Sequence, residues 1–271
     1  MEIFLAFVFG TLFGSFLNVV ILRIPKDESV VFGGSHCTAC HTPLKPWHNI
    51  PLFSWLFLRG RCAFCGDKIS AQYPAIEFLS GLIFAVLVLK YGIGFPVFMI
   101  GMSFLMLLAL SMIDFKYKMV PDSLNLLAIL FAVLGAWSFG GFVENLKNAL
   151  LFAGGFTLLR FSLSYILTSA AHREANKTMT PWRKNYHTYP YIEAMGEGDI
   201  MVAATMGALL GLELTLVAVF LSAILALPVM LALRERSAEE QRVPFVPFLA
   251  LATFIVFLLD TPIAAYIEAN F

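Results

Sequence analysis

The sequence predicts an all-α protein, a polytopic transmembrane helical bundle of about eight helices with one sizeable cytoplasmic insert. Three observations predict it: an apolar content too high for a water-soluble globule, basic residues confined to alternate connections, and cysteines gathered in a single loop.

Of the 271 residues, 59% are hydrophobic and 13% are charged, and the mean hydropathy is +0.82. A soluble domain is about 45–50% apolar and about 25% charged, so a single water-soluble globule is excluded. A bilayer crossing takes about 20 apolar residues, and this content suffices for about eight spans with short connections. Lys plus Arg and Asp plus Glu both total 18. That balance removes any whole-molecule electrostatic case for nucleic acid as a partner, and leaves the lipid bilayer as the expected surroundings.

Candidate spans run near 3–22, 74–90, 95–113, 123–140, 148–170, 200–212, 213–233 and 244–267. Only Gly211 and Glu213 separate the sixth from the seventh. The first has the length of a signal peptide, but Met1, Glu2 and Ile3 give it no basic start. Arg23 and Lys26 follow the apolar run instead, so it is expected to stay as a span. Fifteen basic residues lie in the connections 23–72, 114–122, 171–199 and 234–242, against only Lys90 and Lys147 in the alternate ones. Short basic loops face the cytoplasm, which places these four there and both termini on the opposite side. The chain accordingly divides into a first transmembrane helix (1–23), an insert (24–72) and a membrane core (73–271).

All four cysteines lie in that insert, as Cys37-Thr38-Ala39-Cys40 and Cys62-Ala63-Phe64-Cys65, with 21 residues between the pairs. Each C-x-x-C turn presents two thiolates to one point, and two such turns close a tetrahedral Zn²⁺ shell. Gly66 follows the second pair, and Pro43, Pro46 and Pro51 argue against a helical filling. The alternatives are two disulfides, a redox function or unpaired thiols, of which disulfides are disfavoured in a reducing cytoplasm. The expected insert is therefore a cytoplasmic zinc knuckle, with His36, His41 and His48 as ordinary loop histidines.

Two acidic residues stand apart from those in loops. Asp114 ends the apolar run from Phe104 to Ile113, and Asp199 opens the run from Ile200 to Met206, both at a cytoplasmic span boundary. A carboxylate at such a depth needs a partner or a task. Two carboxylates held close share a proton and give an acid and a base near neutral pH, the chemistry of an aspartyl protease; the alternative is ordinary helix-end charge. In Gly196-Glu197-Gly198-Asp199 the glycines permit close approach by an extended peptide, or simply make a turn before a helix. Pro121-Asp122 is good helix N-cap chemistry, so Asp122 is expected to be chiefly structural.

Taken in order, these pieces resemble the type IV prepilin peptidases, aspartyl proteases of the GxGD class. The segment from Gly14 to Pro25 looks like that family's first helix, the paired C-x-x-C loop follows, and the segment from Tyr73 to Glu77 opens the second helix as it does there. Asp114 with Val120-Pro121-Asp122 is similar to its first aspartate motif and Gly196 to Asp199 to its second, with Glu197 in a variable position. The resemblance implies an enzyme of the bacterial inner membrane, its active site facing the cytoplasm and both termini periplasmic. It would remove the leader of prepilins or of type II secretion pseudopilins after a glycine. It further implies Asp114 and Asp199 as the catalytic pair and methylation of the new N-terminus with S-adenosylmethionine, for which no glycine-rich donor fingerprint is visible.

Arg160, inside the fifth span, reads either as paired, with Glu77 the candidate partner, or as reaching the interface. Trp182, Tyr186, Tyr189 and Tyr191 read as interfacial anchors, or else as substrate contacts. The rival class is a non-enzymatic transporter or assembly component that docks through the zinc knuckle. No H-E-x-x-H sequence is present for a metalloprotease.

Overall fold

Apolar runs of this length close their backbone hydrogen bonds internally as helices, because hydrocarbon offers none. The computed structural model describes residues 1–178, 192–232 and 243–270. Within them lie α1 (Glu2–Arg23), a short α2 (Phe53–Phe57), α3 (Gln72–Tyr91), α4 (Phe95–Tyr117), α5 (Asp122–Gly140), α6 (Phe142–Thr178), α7 (Glu197–Ala232), α8 (Val246–Leu258) and α9 (Asp260–Asn270). Trp182, Tyr186, Tyr189 and Tyr191 fall outside the described residues, as do Arg234, Arg236 and Arg242.

Six of these helices are long and apolar enough to cross a membrane, or seven when the bent pair α8 and α9 is taken as one span. The expected eight segments all have counterparts, because α7 is two helices meeting at Gly211, whose φ of 75° and ψ of −170° only glycine adopts readily. Across that break the Thr215 hydroxyl donates to the Met206 carbonyl at 3.2 Å. In a straight helix those residues stand about 13 Å apart along the axis, so the chain turns sharply there. The last span is also not straight, since α8 and α9 meet at 78°. Lys90 from α3 donates to the last carbonyls of α8, Phe257 at 3.2 Å and Leu258 at 2.8 Å, and pairs with Asp260. The corner is thus held by one cation that satisfies a helix end and the carboxylate that opens the next helix.

The core centres on α4, where Ile100, Leu107, Leu110 and Ile113 are fully buried. On one side α4 meets the pair α1 and α3, on the other α5 and α8, while α7 packs against α5, α6 and α8. Ser103 ties α4 to α5 by donating to the Ala128 carbonyl at 2.9 Å. The α1 and α3 backbones approach closely through small residues: a Cβ on Gly10 would lie 2.5 Å from the Ser80 carbonyl oxygen, and one on Gly14 would lie 2.8 Å from Glu77 Cα. Gly14→Val is expected to force these helices apart and lower stability by about 1–3 kcal/mol, read as an earlier thermal unfolding of the detergent-purified protein.

Candidate active site

One end of the bundle gathers the ends of six helices. Asn18 of α1 donates through Nδ2 to the Tyr73 carbonyl of α3 at 3.1 Å. Asp114 lies in the last turns of α4, 7% exposed, and its Oδ2 accepts the Val246 backbone N–H that opens α8 at 3.2 Å. The helix ends three residues on, at Tyr117, and is capped by Lys118 in the left-handed conformation, whose N–H returns to the Asp114 carbonyl at 2.9 Å. The chain then runs through Val120 to α5.

Val120 is the hinge pin of the arrangement. A Cβ on Gly198, at the start of α7, would lie 2.4 Å from Val120 Cβ, so no other residue fits there. The close approach expected of this glycine is made, at Gly198, by the protein's own valine. This packing brings Asp199 beside the end of α4, where the half-buried carboxylate feels the charge of Asp114 and hydrogen-bonds with the Gly196 backbone. Asp114 and Asp199, separated by 85 positions, are therefore brought together.

The segment before Asp199 is strapped along α6. Ile192 N–H donates to Thr168 Oγ1 and Ala194 N–H to Ser164 Oγ, each at 3.0 Å. Arg160 pairs with Glu197 at 2.9 Å and with Glu193 at 3.4 Å. Residues 160, 164 and 168 lie one turn apart on a single helix face. Glu77 is thus not the partner of Arg160: it is buried on α3 and accepts the Leu52 N–H of the insert at 2.7 Å. Arg160 sits about 27 Å from the start of α6, at the far edge of a hydrocarbon layer about 30 Å thick, where its charge is tolerated. Its pairing also offsets the negative charge of Glu197. The polar row at spacing four on an apolar helix was the available signal for Ser164 and Thr168.

Asp122 differs from its expected place. Helix α5 begins at Asp122, with Pro121 as the N-cap and no side-chain cap bond, so Asp122 lies exposed in the first turn and acts on the helix dipole alone.

In the insert, Cys37, Cys40, Cys62 and Cys65 bring their sulfurs within 4.8 Å of one another. The Cys37 and Cys65 sulfurs are 3.8 Å apart, far beyond a disulfide's 2.05 Å or so. About 3.8 Å is the edge of a tetrahedron with metal–sulfur bonds of about 2.3 Å. The two turns are near copies. Cys37 N–H bonds Thr42 and Cys62 N–H bonds Asp67, while His41 and Gly66 donate back to Cys37 and Cys62. His41 and Gly66 both carry positive φ, and a bridge flanks each turn, His36 with Pro43 and Arg61 with Lys68. This local repeat is not visible as identity, because histidine stands where the second turn has glycine. The four sulfurs hold their protons unevenly. Contact with the Thr42 hydroxyl draws Cys40 down to about 6, backbone donors lower Cys62, and Cys65, although the Asp67 backbone bonds it, is pushed up to about 12 by burial and its neighbouring sulfurs.

The strap yields a direct prediction: Arg160→Met together with Ser164→Ala should speed amide hydrogen exchange at Ala194 and its neighbours in folded protein. Unchanged exchange there would show that these contacts do not hold the segment.

Residues 8–91 match the family described as bacterial peptidase A24 N-terminal domain, and residues 100–231 match the type IV leader peptidase family. The chain is 32% identical to the prepilin leader peptidase/N-methyltransferase of Neisseria gonorrhoeae, over 93% of this chain and 89% of that protein. For the protein of the same name in Aeromonas hydrophila the identity is 31%, over 98% and 94%. For that of Bacillus subtilis it is 28%, over 97% and 96%. No solved structure matches the chain.

Proposed function

The chain belongs to the type IV leader peptidase family, and from that premise we propose that it removes the leader of prepilins or pseudopilins, with Asp114 and Asp199 as the catalytic pair, and N-methylates the amine set free. What supports the reading is that Asp114, in the last turns of α4, and Asp199, in the first turn of α7, lie near enough for one carboxylate to feel the other's charge. One carboxylate takes a proton from water as its oxygen attacks the scissile carbonyl. The other, protonated, gives its proton to the departing amide nitrogen. Gly198 and the Val120 packing position Asp199, and the α8 N-terminus orients Asp114. Cleavage falls after a glycine, on the cytoplasmic side of the bacterial inner membrane, with both termini periplasmic; the count of basic residues supports this orientation.

Zinc held by Cys37, Cys40, Cys62 and Cys65 stiffens the insert, and the clustering of all four sulfurs within 4.8 Å, with Cys37 and Cys65 at 3.8 Å, supports this assignment. S-adenosylmethionine supplies an electrophilic methyl carbon for the second activity. Partition of the chain into a first helix (1–23), an insert (24–72) and a membrane core (73–271) follows the same division of labour.

Asp114→Asn and Asp199→Asn should each lower cleavage of a purified prepilin by at least about 10²-fold while leaving the folded protein and its metal intact. Cleavage by either variant at the wild-type rate, measured by mass of the product, would remove that residue from the pair. Elemental analysis should find one zinc per chain. Because protons compete for the thiolates, release to a chelator should become easier as pH falls and harder as it rises. Release independent of pH would contradict four-cysteine ligation.

A further inference from the structure

Between the insert and the membrane helices lies a cavity of about 680 Å³, within the range of about 300–1,000 Å³ typical of small-molecule sites. Its floor is the end of α1 and the start of α3, its roof includes Cys37 and Cys62 of the two knuckles, and one wall is Lys116 and Tyr117 of α4. Three lining side chains carry a buried polar atom without a hydrogen-bond partner: Asn18 Oδ1, Gln72 Nε2 and His48 Nδ1. Asn18 is 1% exposed. Its amide nitrogen is already committed to the Gly14 and Tyr73 carbonyls, which leaves the oxygen as an unused acceptor. Buried polar atoms are rarely left unpaired unless something absent completes them.

Arg23, Lys26, Lys68 and Lys116 line the cavity together with Glu28, Asp67 and Glu77, but its buried carboxylate has no cation against it among the described residues. Glu77 lines it, is 7% exposed and accepts the Leu52 N–H, yet among the described residues no ion pair reaches it. Arg23, the cation of the α1 end, is committed to the Ser29, Phe32, Gly33 and Gly34 carbonyls. A secluded carboxylate that no protein cation neutralises favours an occupant that brings positive charge. Tyr73 and Tyr117 line the same space, and aromatic rings attract cations and stack on heteroaromatic bases. Exposed Lys26 and Lys116 offer charge to a carboxylate.

We infer that this cavity is the S-adenosylmethionine site of the chain, with Glu77 facing the cationic half of the methyl donor and Asn18, Gln72 and His48 completing its polar contacts. The inference rests on the N-methyltransferase reading above and deepens it by assigning the donor a place. That place suits the reaction, because Tyr117 follows Asp114 by three residues, about 4.5 Å along α4. The amine freed by cleavage then emerges beside the donor. Its lone pair forms the new N–C bond, the C–S pair returns to sulfur to leave S-adenosylhomocysteine, and the nitrogen proton passes to water.

The test is binding of S-adenosylmethionine and of uncharged S-adenosylhomocysteine to full-length, zinc-loaded protein in detergent, by calorimetry. Ultraviolet cross-linking of methyl-labelled donor, with peptide mapping, accompanies it. In wild type the label should fall on peptides containing residues 18–26, 48–77 or 116–117. Glu77→Gln, which keeps the acceptor for Leu52, should weaken the sulfonium by about tenfold or more while changing S-adenosylhomocysteine by less than about twofold. Wild-type zinc content certifies that the variant is folded, and the wild-type cross-link stands whether or not it folds. Labelling confined to other peptides, with the product still methylated, would overturn this site and leave the N-methyltransferase reading standing. Absence of both binding and methylated product would overturn that reading and this site together.

Discussion

A carboxylate at the edge of the hydrocarbon layer loses several kcal/mol of hydration unless donors or water replace it. Asp114 is 7% exposed, and the arrangement around it follows from that constraint. The end of α4 needs a donor near its carboxylate, and the opening N–H of α8 supplies one. A second carboxylate beside it needs an even tighter mount. Gly198 supplies this by admitting Val120 where any side chain would collide, and the strap along α6 holds the approach to it. The two acids are kept together by packing of apolar and small residues, since their charges repel.

The insert obeys the same logic at a different scale. A loop of about fifty residues with one five-residue α-helix is too small to bury a core of its own, and Phe32, Phe53, Leu56 and Phe57 stay exposed on it. Two copies of one turn converge on a cluster of four sulfurs instead, and Glu77 anchors the loop to α3 through Leu52. The cysteine turns, the loop and the membrane helices thereby enclose a common space beside the end of α4 that carries Asp114.

Much of this was legible in the sequence. Span positions follow from apolar run length, which the bilayer dictates, and the C-x-x-C spacing specified a four-sulfur cluster because so few geometries satisfy it. The GxGD stretch and the α4 boundary pointed to Asp199 and Asp114 individually. Their meeting did not follow from spacing, because it depends on Val120 fitting a glycine 78 positions away. The acids that pair with Arg160 escape sequence reading for a similar reason: Glu77 is the candidate by depth, while Glu193 and Glu197 reach Arg160 only because the segment before Asp199 runs along α6. His41 taking the positive φ that glycine takes in its twin hid the local repeat. At Asp122 the error was one residue of helix start, since Pro121 serves as the cap.

The central claim is that Asp114 and Asp199 work as one unit, and a double-mutant cycle measures this directly. With enzyme in excess over prepilin, single-turnover cleavage would be compared for Asp114→Asn, Asp199→Asn and the double variant. Residues that share one proton lose their function together, so the double variant should cut no more slowly than the slower single variant. If the two losses instead multiply, the carboxylates contribute independently, and the account of a coupled pair is wrong.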